Sequence, residues 1–251
     1  MVERSNTFFS SKNHIKMKTL SFISVVIPAY NEENYLGRCL NTVTKQDYSG
    51  PYEVIVVDNG SDDKTQEIAN SYPGVRVIYE PRKGVGSARQ AGFSEARGEI
   101  IASTDADSIV PINWLSEINQ IFNQNNHIVG ITGPAYPLET GKLEISAYPL
   151  YKSFLSFCAS RGINVCAGYN LAVRAKASRD IGGFNTSLKI GEDSEFWKRL
   201  KKYGPTIFAS HLVVPVSCRH FRSRGLAVSF LRYSAAYVSI NFFNIPPTFL
   251  R

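Results

Sequence analysis

What this sequence has little of narrows it before any motif is considered. Among its 251 residues are four cysteines, Cys39, Cys158, Cys166 and Cys218, and none forms a C-x-x-C pair. Their spacings of 119, 8 and 52 fit neither a disulfide framework nor a zinc site, so a reducing compartment is the expected setting. Met1–Lys18 holds no apolar run long enough for a signal peptide. That polar, mixed-charge stretch reads as a disordered leader over 1–20. There is no internal repeat and no low-complexity linker. Hydrophobic residues at 43% with charged residues at 20% exclude wholesale disorder, collagen and coiled coil. The last fifth of the chain lacks acids altogether. Phe196–Arg251 carries nine Lys or Arg and no Asp or Glu, so the net charge of +7 leaves the rest of the chain at −2. A basic end on a slightly acidic body points to a membrane or polyanion partner, or to a solvated basic face.

What is present alternates between two periodicities. Ser24–Pro28 is a β-branched run closed by proline, a buried strand; Val54–Val57 is a second, ending at Asp58, and Val75–Tyr79 a third. Glu99–Thr104 is a fourth, ending at Asp105, and Ile128–Gly133 a fifth. Between them, Glu32–Lys45, a segment capped by Ser61 and running to Ser71, Gly84–Arg97 with its start marked by Ser87, and Ile112–Asn123 have helical spacing. Strands alternating with helices predict an α/β fold, a mostly parallel sheet with helices on both faces. After Pro137 the rhythm changes. Leu143–Ser160 and Glu192–Tyr203 read as helices, Cys166–Val173 as a strand, and Thr206–Val216 as one or two strands. This places an α/β domain over 21–222 and a separate segment over 223–251.

That last segment is aromatic. Gly225–Leu250 has one charge, Arg232, and aromatics at Phe230, Tyr233, Tyr237, Phe242, Phe243 and Phe249. Tyr233–Leu250 approaches spanning length, but Ser234, Asn241, Asn244 and Pro246-Pro247 weaken that reading. An amphipathic interfacial helix flanked by Arg222, Arg224 and Arg232 fits better. The alternative is a helix packed on the domain or on the partner of a homodimer.

Ligands of open parallel sheets bind beyond the carboxyl ends of the strands. Three polar clusters fall there: Tyr30-Asn31-Glu32, Asp58, and Asp105-Ala106-Asp107. Two carboxylates in D-x-D suit Mg²⁺ or Mn²⁺, which also bind substrate phosphates. Gly84-x-Gly86 opens a helix but has Arg89 at the third position and follows the third strand, so a dinucleotide site is disfavoured. Glu192-Asp193 after Gly191 is either a helix start with two dipole-compensating acids or the place of a general base.

Taken in order, Val25-Val-Ile-Pro28-Ala29-Tyr30-Asn31-Glu32, Asp58-Asn-Gly-Ser61-x-Asp63-x-Thr65, Lys83-Gly84-x-Gly86-x-Ala88-Arg89, Asp105-x-Asp107, Gly183-Phe184 and Gly191-Glu192-Asp193 resemble the family 2 glycosyltransferases of GT-A fold. The likeness covers Ser24 to Tyr203. It implies a nucleotide-sugar donor, a divalent cation, Mn²⁺ or Mg²⁺, and inversion at the anomeric carbon. By motif position Pro28, Ala29, Tyr30 and Glu32 would line the nucleoside pocket and Asp58 would meet the base. Arg82 and Lys83 would contact base or phosphate. Asp105 would face ribose or metal, Asp107 would bind the metal, and Asp193, with Glu192 beside it, would be the base. In Arg219-His220-Phe221-Arg222-x-Arg224, His220 would serve the metal and Arg222 or Arg224 the diphosphate. Leu143–Ser160 and the Gly183–Gly191 loop would form the acceptor side, for a glycan or lipid-linked acceptor. Two departures stand out. Gln90 replaces the usual Asn after Ala-Arg, which retunes a loop hydrogen bond. No Gln-x-x-Arg-Trp follows residue 196, which disfavours a processive synthase.

Other readings are a catalytically silent nucleotide-sugar or glycan binder, a nucleotidyltransferase and a nucleic-acid binder. The first needs neither Asp107 nor Asp193, and both are present. The second calls for a glycine-rich basic loop where Ala29–Glu33 stands. The third does not suit an aromatic, sparsely charged tail, so no nucleic-acid partner is expected. Donor sugars are cytosolic, so the expected place is the cytoplasm, peripheral on the inner face of the membrane.

Overall fold

The computed structural model describes residues 19–138, 142–217, 219, 231–232 and 235–243. The expected leader up to residue 18, His220, Arg222 and most of 223–251 lie outside the described residues. Strand β1 is Ile23–Ala29, followed by helix α1 (Leu36–Val43), β2 (Tyr52–Asp58), α2 (Thr65–Asn70), β3 (Val75–Tyr79), α3 (Val85–Glu95), β4 (Ile100–Ser103) and α4 (Trp114–Gln124). Then come β5 (Gly130–Thr132), β6 (Ala135–Pro137), α5 (Lys142–Ser160), β7 (Leu171–Arg174), α6 (Ala175–Asp180), α7 (Glu192–Tyr203), β8 (Thr206–Phe208) and β9 (Val214–Val216). Seven strands form one sheet in the order β3-β2-β1-β4-β7-β5-β8, and β6 pairs with β9 in a second, two-stranded one.

The sheet is mostly parallel, as the alternation predicts. Its uninterrupted apolar strands bury both faces. Val25 and Ile27 of β1, with Val54 and Val56 of β2, join the layer under α1 and α4. Val26, Ile55 and Val57 join the layer under α3 and α7. Each such side chain taken from water contributes about 1.5–3 kcal/mol. Helix α1 buries Leu36, Cys39, Leu40 and Val43, one face at helical spacing. Helix α3 lies close on the sheet because Gly92 leaves room. A Cβ there would come within 2.3 Å of a Val26 methyl.

Three departures from the sequence reading have a local physical reason. Helix α2 begins at Thr65, not after Ser61, because the Ser61 hydroxyl accepts from Asn31 N–H and Ser61 N–H donates to Asp58. Asp63 instead serves the helix start, accepting from Thr65 N–H at 2.9 Å. Helix α3 starts at Val85, so Ser87 lies inside it and is buried. The strand expected over Cys166–Val173 is only Leu171–Arg174, and it runs antiparallel to both β4 and β5. The excursion through β6 and α5 returns the chain to the sheet edge it left from, so the next strand must run back.

At the end of the described residues, Ser239–Phe243 forms a π-helical turn. Ala236 and Ile240 are buried, with Ile240 against Gly191 at the start of α7. Lys198 donates to the Ile240 carbonyl at 2.6 Å, and the Asn164 amide to Asn241 Oδ1 at 2.9 Å. Over 235–243 the segment thus packs on the domain, while Val238 and Phe243 stay exposed. Among the described residues no helix is long and apolar enough to cross a membrane.

Candidate active site

The ends of β1, β2 and β4 share one edge, and two loops there are tied to each other. Asn31, held at a positive φ of 55°, accepts from Asp62 N–H at 2.9 Å. Glu32 N–H donates to the Thr65 hydroxyl at 2.7 Å and Glu33 N–H to Asp63 at 3.0 Å. Tyr30 is left exposed at the rim, with Lys83 Nζ 4.0 Å above its ring. Lys83 also donates to the Gly60 carbonyl at 2.6 Å. Pro28 and Ala29 end β1 beside buried Asp58, which is paired with Ala29 across the sheet. Arg82 is held by both oxygens of Glu80, at 2.8 and 2.9 Å. Asn59, which sequence reasoning passed over, organises this side. Its amide donates to the Glu80 and Arg82 carbonyls, and its oxygen accepts from Gly84 N–H, each at 2.8 Å.

The carboxylates of Asp105-x-Asp107 take different partners. Asp105 meets Arg89 at 2.6 Å. Asp107 lies 3.6 Å from Arg219 Nε, and the same guanidinium pairs with Glu32 and stacks 3.9 Å over Tyr35. Burial, then the nearby Asp105 and Glu32 charges, push the Asp107 carboxyl up to about 7 against the pull of Arg219. Burial likewise raises Glu32 above the usual carboxylate range. The late cation that reaches this site among the described residues is therefore Arg219, from the segment in which the sequence pointed to His220 and to Arg222 or Arg224.

Arg89 joins this centre to the start of α7. It is buried and lies 2.6 Å from Glu192 as well as from Asp105. Of the two acids beginning α7, Glu192 turns inward to this cation and Asp193 remains partly open. Burial and the neighbouring Asp193 raise Glu192 even so. Asp193 Oδ2 accepts from Gly168 N–H at 3.1 Å. Gly168 is needed there, since a Cβ would fall 2.3 Å from the Arg89 guanidinium. Gln90, the departure noted in the sequence, accepts from Phe184 N–H at 2.6 Å and so holds the Gly183–Phe184 turn to α3. Nothing in the sequence marks Arg89 as a buried cation, because an arginine inside a helix normally faces water.

Carboxylates from the ends of β1, β2 and β4 thus gather on one edge with those that begin α7, around Arg89 and Arg219. Residues 24–182 match the family described as glycosyl transferase family 2, and the chain belongs to that family. It is 34% identical over 212 residues to glycosyltransferase AglE of Haloferax volcanii, covering 78% of this chain and 66% of AglE. Across the curated relatives it matches, the chain spans about two thirds of their length or less. The fold is GT-A. It is similar to a mannosyltransferase of Pyrobaculum calidifontis in complex with GDP-Man and Mn²⁺, with a TM-score of 0.73 and 20% identity over 88% of this chain and 64% of that one. It is also similar to S. aureus TarS 1-349 in complex with UDP-GlcNAc, with a TM-score of 0.65 and 21% identity over 78% of this chain and 58% of that one.

Proposed function

We propose that this chain transfers a glycosyl group from a nucleoside-diphosphate sugar to an acceptor hydroxyl or a lipid phosphate, with inversion. The observation that carries the reading is the Arg89 bridge, which brings Asp105 and the Glu192-Asp193 start of α7 around one guanidinium. Tyr30, Ala29 and Asp58 offer the nucleoside a ring, backbone and a carboxylate, and Lys83 offers the diphosphate a cation. In one displacement the acceptor oxygen bonds to the anomeric carbon, the bond from that carbon to the diphosphate breaks, and Asp193 takes the acceptor proton. Such positioned proton acceptance is worth about 10²–10⁴-fold. A lipid phosphate is already ionised and would need no proton acceptor. Glu192 acts through Arg89 as a positioning residue. Arg219 is placed to meet charge developing on the departing diphosphate.

A divalent cation suits this donor set. Asp107 is crowded by Asp105 and Glu32, so the site holds more negative charge than its arginines balance. No group of three or more His, Cys, Asp or Glu with metal-binding geometry occurs among the described residues. Two carboxylates, Asp107 and Asp105, would hold the ion, with water and diphosphate oxygens completing its shell. Mn²⁺ or Mg²⁺ bound there supplies charge neutralisation of the leaving diphosphate. The mannosyltransferase neighbour bound to Mn²⁺ supports the same choice.

We further infer peripheral contact with the cytoplasmic face of the membrane through the aromatic 223–251 segment, where arginines can each gain about 1 kcal/mol from anionic lipid. A panel of nucleotide sugars, assayed for released nucleoside diphosphate with Mn²⁺ or with EDTA, tests the reading. One donor should be consumed in a metal-dependent way. Release from none of them, with and without a lipid-phosphate acceptor, would overturn it.

A further inference from the structure

Helix α5 carries an apolar stripe that the domain does not cover. Leu150, Phe154 and Phe157 recur at helical spacing and are 76%, 60% and 53% exposed. Tyr151 beside them is exposed as well, and Ile163 follows just past the helix end. Three such side chains on one face of a water-soluble helix are costly unless something covers them. The stripe also has a charge. Arg161 stacks over the Phe157 ring at 4.8 Å, and Lys201 reaches the Gly162 carbonyl at 2.8 Å. Ile145–Arg179 contains no Asp or Glu, and neither does Phe196–Arg251. The end of α5 adjoins the packed C-terminal segment through the Asn164–Asn241 hydrogen bond, and that segment adds exposed Leu231, Val238 and Phe243.

We propose that the α5 stripe is a docking surface for an anionic lipid bilayer, acting together with the C-terminal segment. The inference rests on the membrane reading above and assigns that contact to a second, independent element. An apolar stripe with cations beside it and no acids matches an interface of acyl chains and anionic headgroups. A second copy of the chain fits less well. A twofold dimer would lay this patch on itself and set cation against cation. The position of α5 gives the contact a use. Tyr148 packs edge-on to Tyr136 with ring centroids 4.8 Å apart, and β6, which carries Tyr136, pairs with β9. Just past the end of α5, the Asn164 amide donates to the carbonyl of Ser194, next to Asp193, at 2.9 Å. Docking through the stripe would thus bring the Asp193 side of the site to the headgroup layer, where a lipid-linked acceptor presents its reacting oxygen.

The test uses the full chain and phosphatidylcholine vesicles containing about a third phosphatidylglycerol. Phe154→Ser with Phe157→Ser, both at exposed positions, should leave the melting temperature unchanged and lower vesicle binding at least about tenfold. Phe154→Trp should show a blue-shifted emission, quenched by brominated lipid, when vesicles are added. The native Trp114 and Trp197 are buried and give a steady background. If the intact chain floats with vesicles but the double variant floats equally well, and the emission of the Phe154→Trp variant does not move, the α5 proposal is wrong and the C-terminal reading survives. If the intact chain does not float at all, the membrane reading fails with it. Concentration-dependent dimers that the double variant abolishes would assign the stripe to a second copy instead.

Discussion

At Arg89 one buried cation meets Asp105 and Glu192, both at 2.6 Å, with Asp193 among the charges that hold it protonated. Removing one member of such a buried set leaves the others uncompensated, which costs about 3–5 kcal/mol. Arg89→Met should therefore lower the melting temperature by roughly 6–20 °C for a chain of this size. A change of under a degree would show that the bridge is not formed in solution. Asp107 makes a separate prediction, with a defined sign. Its carboxyl rises from 3.8 to about 7 in the fold, so between those values the native state binds more protons than the unfolded chain. Stability from this residue is present at low pH and is lost as pH rises toward 7. Relative to Asp107→Asn, which stays neutral, the wild type in EDTA should melt progressively lower from about pH 4 to about pH 7, by no more than about 4 kcal/mol. Divalent cation should restore the wild type at the upper end of that range. Parallel melting curves for the two proteins would remove Asp107 from this environment.

At the scale of elements, the loop before β7 and the start of α7 work as a unit. Gly168 N–H fixes Asp193, and the bare Gly168 Cα lets Arg89 approach. Gly168→Ala should cost at least about tenfold in turnover with donor affinity kept within a few-fold, as a change confined to the reacting geometry does. Equal losses in both would place the loop in donor binding. These elements were not equally legible in the sequence. The strands β1, β2 and β3 and helix α7 stood out because each is an apolar run or amphipathic face bounded by Pro, Asp or Gly. The strand β6 (Ala135–Pro137) is three residues long and was invisible to periodicity, and α6 (Ala175–Asp180) is too short to display a face. The reversal of β7 depends on which sheet edge the chain returns to, a long-range fact that no window of residues contains.

Across the whole molecule, the sheet sets the order of the site. Parallel β1, β2 and β4 end on one edge, so Tyr30, Asp58 and Asp105 arrive together although they lie far apart in sequence. That convergence was readable, since the motifs sit at strand ends. The cross-links were not. Arg89, Asn59 and Arg219 act through partners that only the fold supplies, and Arg82, prominent in the sequence, is held by Glu80. The proposed function assigns Asp107 to the ion and diphosphate and Asp193 to the acceptor. The measurement that tests this division most directly pairs donor affinity by calorimetry with turnover in Asp107→Ala and Asp193→Asn. Asp107→Ala should lose Mn²⁺-dependent donor binding, while Asp193→Asn should keep its affinity and lose about a hundredfold or more in turnover to a hydroxyl acceptor. Donor affinity lost in Asp193→Asn and retained with Mn²⁺ in Asp107→Ala would contradict it.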